Sequence, residues 1–546
     1  MRTCKILLML LWIVLVACGV EAQESHETEN AHSVPGEGDQ VGIDNGDSDR
    51  DGESDLYDGD YGNYDGDGEG DGDGDGEDGG YFDVDGAWEG APADQFEDFG
   101  ENEFVSTAEE NTSTFSIDVN TASYTIARGA LLNGMLPTPE GVRVEEFINF
   151  FRFEYPVPTE ELFSINMEVA PSYFGSNDDV ERHLLRIGVR GKDVSLEEMK
   201  PSNLVFLIDV SGSMSSLNRL PLAKQSLHEM LEHLRPTDTV AIQTYASGSD
   251  TVLAPTPVAD RQLIEEAIDS LVAHGATWGE GGILAAYDLA EQGFIDGGNN
   301  RVIILTDGDF NVGKTGDDLV ELVRSWHDRE ISLTSVGFGR GNYNDRIMEA
   351  LARDGNGNYF YVDSIEEGKR IFGTHLPSTI EVIAADVKLQ VEFDSDVVDR
   401  YRLVGYEKRV MDNADFDNDY ANAGELGPGH TVTAFYEIEI HADAPLNSPF
   451  LAEVRVRHKE QYGEDSLEQS QVIKIGQVLD DFFDATDGFR FAAAVAEFAA
   501  ILRGSQFVQG ARFAEVHSIA DGARYPDNME QLEFLQLVTQ AEVLWQ

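Results

Sequence analysis

Between residues 204 and 362 the chain alternates short apolar runs with amphipathic stretches, and this alternation restricts the fold more than any other feature. Residues 204–208 are apolar without a break, as a strand covered on both faces requires. Residues 240–245, 302–305, 331–336 and 359–362 read as further strands, while 264–272, 283–290, 319–326 and 347–351 have helical spacing. Strands interleaved with helices predict an α/β fold on a doubly wound, mostly parallel sheet. Such sheets bind ligands at the carboxyl ends of their strands.

Strands also flank this region. Phe163, Ile165, Met167 and Val169 alternate with polar residues, Leu185, Ile187 and Val189 repeat the pattern, and Leu389, Val391, Phe393, Val454 and Val456 do so on the far side. Half-buried strands on both sides predict a β-sandwich assembled from the two flanks, with the α/β domain inserted between them. Residues 143–151 read as an amphipathic helix, and Glu145 and Glu146, like Glu265 and Glu266, are placed on solvated helix faces. Phe491, Val495, Phe498, Ala499 and Leu502 at i, i+4, i+7, i+8 and i+11, followed by Gly504, predict a C-terminal helix, with another over 528–543. The expected division is a signal peptide (1–17), an acidic tail (18–102), an α+β flank (103–201), the α/β domain (202–385), a β-rich region (386–476) and C-terminal helices (477–546).

Lys and Arg total 37 against 103 Asp and Glu, a formal net charge of -66. A surface this acidic repels phosphate backbones and anionic headgroups, so nucleic acid is excluded as a partner and metal cations are favoured. The two cysteines, Cys4 and Cys18, precede the folded part, which leaves it without a disulfide or a thiolate metal site.

Arg2 and Lys5 lead into an unbroken apolar run over 6–17, too short to span a bilayer and suited to a secretory signal. Its end, Leu15-Val16-Ala17-Cys18, resembles the bacterial lipobox, which implies export and acyl chains on Cys18 that anchor the chain in the cell envelope, at the periplasmic face or cell surface. From residue 21 to about 110, Asp, Glu and Gly dominate and Arg50 is the only Lys or Arg, so this segment is expected to be disordered. Within it Asp47, Asp49, Asp51, Asp55 and Asp58, with Gly52, have the spacing of a calcium loop. A weak calcium site and diffuse cation binding by an acidic coil are the alternatives.

The polar motifs of the α/β region fall where its strands end. Asp209-Val210-Ser211-Gly212-Ser213 follows the first core strand, His274-Gly275-Ala276-Thr277 precedes a helix, and residues 302–305 run into Thr306-Asp307-Gly308. Three hydroxyls and two carboxylates are hard oxygen ligands, suited to Mg²⁺ or Ca²⁺ rather than zinc. Two formal negatives leave such an ion with positive character to spare.

With these motifs in this order, the chain resembles a von Willebrand factor type A domain carrying a metal-ion-dependent adhesion site. The resemblance implies that Ser211 and Ser213 ligate the ion directly, Asp209 and Asp307 directly or through water, and Thr277 when a ligand is engaged, with Mg²⁺, Ca²⁺ or Mn²⁺ as the cofactor. Residues 115–124, 308–313 and 402–407 further resemble one group of bacterial lipoproteins with this domain. Small residues are usual after the threonine in that family, so Trp278 reads either as a rim anchor for a partner or as a core residue.

Gly308-Asp309-Phe310-Asn311-Val312-Gly313-Lys314-Thr315 also matches a phosphate-binding loop literally. Asp307 and Asp309 would place carboxylates where phosphates must lie, so a nucleotide is not expected. Ser213 lacks a nucleophile elbow, and the twelve histidines, read as surface or helix-end residues, form no general-base cluster. The expected function is therefore non-enzymatic: a divalent-metal-dependent binding or adhesion module whose protein partner offers an Asp or Glu carboxylate to the ion. The alternative is an assembly or chaperone-like factor for an envelope complex, using the same metal face.

Overall fold

The computed structural model describes residues 94–545 except 175–179, 278, 309–315, 327–328, 342, 461–464 and 509. The uninterrupted apolar run becomes the central strand Ser202–Asp209 of a six-stranded sheet, in the spatial order Tyr359–Val362, Ser332–Phe338, Asn299–Thr306, Ser202–Asp209, Thr239–Tyr245, Ser249–Pro257. The first five strands are parallel and the last antiparallel. Every residue of the central strand is buried, because helices cover both faces. Leu204, Phe206 and Ile208 enter the layer with Leu222, Leu227 and Ile264, whereas Val205 and Leu207 enter the one with Ile283, Tyr287 and Leu351. At so enclosed a position Phe206→Ala would cost about 3–5 kcal/mol. The edge strand Ser249–Pro257 has no counterpart in the sequence reading; it is half-exposed, and Pro255 and Pro257 are tolerated at an edge.

The flanks form the expected sandwich. One sheet runs Val105–Ser106, Val398–Val404, Thr431–Ile440, His183–Gly191, Phe163–Pro171, and the other Val410–Met411, Thr112–Ser116, Ala384–Phe393, Ala452–Lys459, Leu467–Ile473. Each sheet mixes strands from before and after the α/β domain. Thr112–Ser116 lies antiparallel to Ala384–Phe393 with Phe115 opposite Leu389, and the alternate residues Phe115, Val189, Val391 and Val454 share one core.

A helical layer completes the body. Asp487–Arg503, Phe513–Ala523 and Met529–Leu544 pack with Ala122–Leu132 and Val144–Phe150 around Tyr124, Phe151, Phe491, Phe498 and Phe534. Thr486 caps the first of these helices by accepting from the Phe489 amide, and Gly504, at φ 75°, ends it in the left-handed region.

Val144–Phe150 departs from the amphipathic expectation, for it is buried on every side. Glu145 and Glu146 are 1% and 0% exposed, which corrects their placement on a solvated face. Arg143 Nε and Lys408 Nζ donate to Glu146 Oε1 at 2.6 and 2.7 Å, and the Tyr406 amide donates to Glu145 Oε2 at 3.0 Å. The partners that make burial tolerable are remote in the chain, so local periodicity does not disclose them. Glu265 and Glu266, in contrast, do face outward. The reading of all histidines as surface or helix-end residues is corrected too: His458 is 6% exposed, with its ring against Phe163.

Candidate metal centre

The central strand and its parallel neighbour Asn299–Thr306 end side by side, which sets Asp209 next to Thr306 and Asp307 at the carboxyl edge of the sheet. Asp209 is held on both oxygens: Oδ1 accepts from the Ser211 amide at 2.8 Å and Oδ2 from the Thr306 hydroxyl at 3.0 Å. The chain then turns through Gly212–Ser215, leaving the Ser211 and Ser213 hydroxyls 2.9 Å apart, the first residue buried and the second exposed. The third loop is tied to the first by the Gly212 amide on Gly275 O at 3.0 Å and the His274 amide on Val210 O at 2.6 Å. Thr277, 8% exposed, lies in that loop. Four predicted ligands, Asp209, Ser211, Ser213 and Asp307, thus share one edge, with the Thr277 loop fastened beside them. Trp278, Cys18 and the acidic positions Asp47, Asp49, Asp51, Asp55 and Asp58 lie outside the described residues, as does most of the phosphate-loop match.

The electrostatics of this edge are unbalanced. Burial, and then the nearby Asp307 carboxylate, push the Asp209 carboxyl up to about 7. Asp307 Oδ1 is buried without a hydrogen-bond partner among the described residues. Two carboxylates and two hydroxyls around an orphaned carboxylate oxygen suit a hard divalent cation. Among the described residues no three His, Cys, Asp or Glu side chains form a metal-holding group, so hydroxyls must complete any such set here.

Two participants were not anticipated. Arg219, just ahead of the helix Leu220–Leu231, donates through Nη1 to Asp307 Oδ2 at 2.7 Å and to Ser213 O at 2.8 Å, and through Nη2 to Arg340 O at 2.7 Å. Gly339, at φ +70°, lets this side chain pass, since a Cβ there would collide with it. The same loop is gripped by Asp94, whose Oδ1 accepts from the Gly341 and Tyr343 amides at 2.8 and 2.9 Å. Gln95 adds a parallel bridge to Asn344, so the chain joins the body within the last residues of the segment 18–102 that was expected to be a disordered tail. A basic residue six positions after Ser213 was visible in the sequence; its contact with Asp307 was not.

The von Willebrand factor type A domain family model matches residues 203–374, a von Willebrand factor model matches 91–182, and a model described as "Uncharacterized protein YfbK, C-terminal" matches 378–544. The Escherichia coli K12 protein described as "Uncharacterized protein YfbK" is 34% identical over 474 residues, covering 82% of this chain and 81% of that protein. The human voltage-dependent calcium channel subunit alpha-2/delta-2 is 30% identical over 175 residues, which is 30% of this chain and 14% of the subunit. Among solved structures, a von Willebrand factor type A protein from Catenulispora acidiphila aligns over 72% of this chain and 89% of its own, at 15% identity and a TM-score of 0.41. The chain therefore belongs to the family of the Escherichia coli protein YfbK, and the α/β domain inserted in its sandwich is a von Willebrand factor type A domain.

Proposed function

We propose that this chain is a divalent-cation-dependent protein-binding module, lipid-anchored through Cys18 in the bacterial cell envelope, that recognises an Asp or Glu carboxylate on its partner. The reading is carried by the edge of the sheet where Asp209, Ser211, Ser213 and Asp307 meet with negative charge left over. Asp209 is oriented by its two hydrogen bonds, Ser211 and Ser213 present adjacent hydroxyls, and Asp307 holds a free oxygen toward the same edge. Mg²⁺, Ca²⁺ or Mn²⁺, held there with Thr277 joining when a partner is engaged, would supply a Lewis-acidic position for the incoming carboxylate. Export and anchoring rest on the lipobox sequence ahead of Cys18.

Capture from envelope extracts with and without chelator tests the proposal. Partner capture should require the divalent ion, fall at least tenfold in Ser213→Ala and fall further in Asp307→Ala, with circular dichroism unchanged. Capture that survives both substitutions and excess EDTA would move the contact surface to the sandwich. Labelling with a palmitate analogue, lost in Cys18→Ser, tests the anchor separately.

A further inference from the structure

Where the type A domain meets the flanks, a cavity of ≈ 30 Å³ is lined by Arg152, Arg370, His375, His430, Thr121 and Thr431 together with apolar and amide side chains. No Asp or Glu lines it, in a chain whose net charge is -66. The space holds about two waters, or one small oxyanion.

Its donors are left over after local bonding. Arg370 is matched by Glu367, with Nε donating to Oε1 at 3.0 Å, and it also reaches Thr121 Oγ1 at 3.2 Å. Arg152 donates only to Ser378 Oγ, at 3.0 Å, and forms no ion pair among the described residues. His430 Nδ1 accepts from the Gly427 amide at 3.1 Å, and His375 Nδ1 faces Arg370 Nη1 at 3.2 Å. Both neutral imidazoles must then carry their proton on Nε2, and neither Nε2 has a protein acceptor among the described residues. Burial, then the Arg152 and Arg370 guanidiniums, hold both rings neutral, His430 down to about 3. The Thr431 hydroxyl is buried with no partner among the described residues. A guanidinium, two imidazoles and a hydroxyl line one space, and the carboxylates whose charge reaches Arg152, those of Glu530 and Asp193, are not part of its lining.

We infer that this cavity is a binding site for one small tetrahedral oxyanion, of the phosphate or sulfate class, which bridges the type A domain through His375 and the flanks through Arg152, His430 and Thr431. Charge-assisted bonds to such an anion satisfy the arginine, and its remaining oxygens accept from the imidazoles and the hydroxyl. Because the donors come from separate parts of the chain, occupancy fastens the inserted domain to its frame, and a ligand bound only by the folded state raises its stability.

The test is thermal unfolding of the full chain in EDTA, titrated with inorganic phosphate or sulfate against chloride and acetate at matched ionic strength, with ³¹P line broadening as a direct readout. Phosphate should raise the midpoint by several degrees, saturably. Arg152→Gln and, independently, Thr431→Val should each weaken phosphate binding at least fivefold, whereas Ser213→Ala on the metal face should leave it unchanged. Equal stabilisation by acetate or chloride, absence of ³¹P broadening, or undiminished binding in both cavity variants would overturn the inference.

Discussion

Two sets of buried carboxylates in this molecule are treated in opposite ways. Beneath the helix Val144–Phe150, Lys408 contacts Glu146 at 2.7 Å, Asp118 at 3.2 Å and Glu349 at 3.6 Å, while Arg143 bonds Glu146 and Asp345 and Arg409 bonds Asp118. Despite full burial, the cations hold Asp118 well below the usual carboxylate range and lower Glu146 and Glu349 as well. At the carboxyl edge of the sheet Arg219 is the one cation among the described residues that bonds either Asp209 or Asp307, it bonds Asp307, and Asp209 is pushed up. The first cluster is closed by the protein's own charges and joins the type A domain to its frame. The second stays open, and an incomplete charge balance at a solvent-facing edge marks a place where something else binds.

The largest effect expected from this contrast is at the closed cluster. Lys408→Met keeps the volume but takes from three buried acids the one cation they share, and should cost about 3–5 kcal/mol in denaturant unfolding; a cost below about 1 kcal/mol would show that the arginines beside those acids suffice to hold them. Glu425 is an intermediate case that sharpens the comparison, because Arg301 stands 3.9 Å away yet neither carboxylate oxygen is hydrogen-bonded among the described residues. Burial pushes this carboxyl up from 4.5 to about 8. The folded state therefore keeps a proton that the unfolded chain releases, and stability declines as pH rises from 4.5 through 8. Glu425→Gln should remove that decline, gaining on the order of 4 kcal/mol at pH 9 and almost nothing at pH 4.5; a gain independent of pH would point to packing. The smallest effect belongs to the open cluster. In chelator, Asp307→Asn should leave stability within about 1 kcal/mol of the parent, or raise it, since it relieves surplus charge. Mg²⁺ should then stabilise the parent but not this variant in a thermal scan.

The elements defined by local pattern were legible in the sequence. The run over 204–208 announced a strand buried on both faces, and the spacing ahead of Gly504 announced the helix Asp487–Arg503. The meeting of polar side chains at one edge was legible because Asp209 ends its strand, Ser211 and Ser213 lie in the turn after it, and Asp307 directly follows the neighbouring strand. What escaped depends on distant partners. Glu146 looks like a surface residue until Lys408 is placed beside it, and Arg219 looks like an ordinary helix leader until Asp307 arrives from the neighbouring strand. The helix Phe513–Ala523 was missed although Phe513, Val516, Ala520 and Ala523 have helical spacing, because two of those four are small alanines and Gly522 interrupts its end, and the strand Ser249–Pro257 because both its faces are partly exposed.

The grip of Asp94 on the loop at Gly341 and Tyr343 also has a mechanical meaning. Tension arriving along the chain from its N-terminal side meets this carboxylate before it meets any strand of the sandwich. Its first point of load is the loop whose Arg340 carbonyl anchors Arg219, and Arg219 in turn holds Asp307. A pull strong enough to strip Asp94 from those two amides would thus slacken the support of Asp307 while the sandwich and the helical layer still stood, making the carboxyl edge of the sheet the first part of the body to register strain.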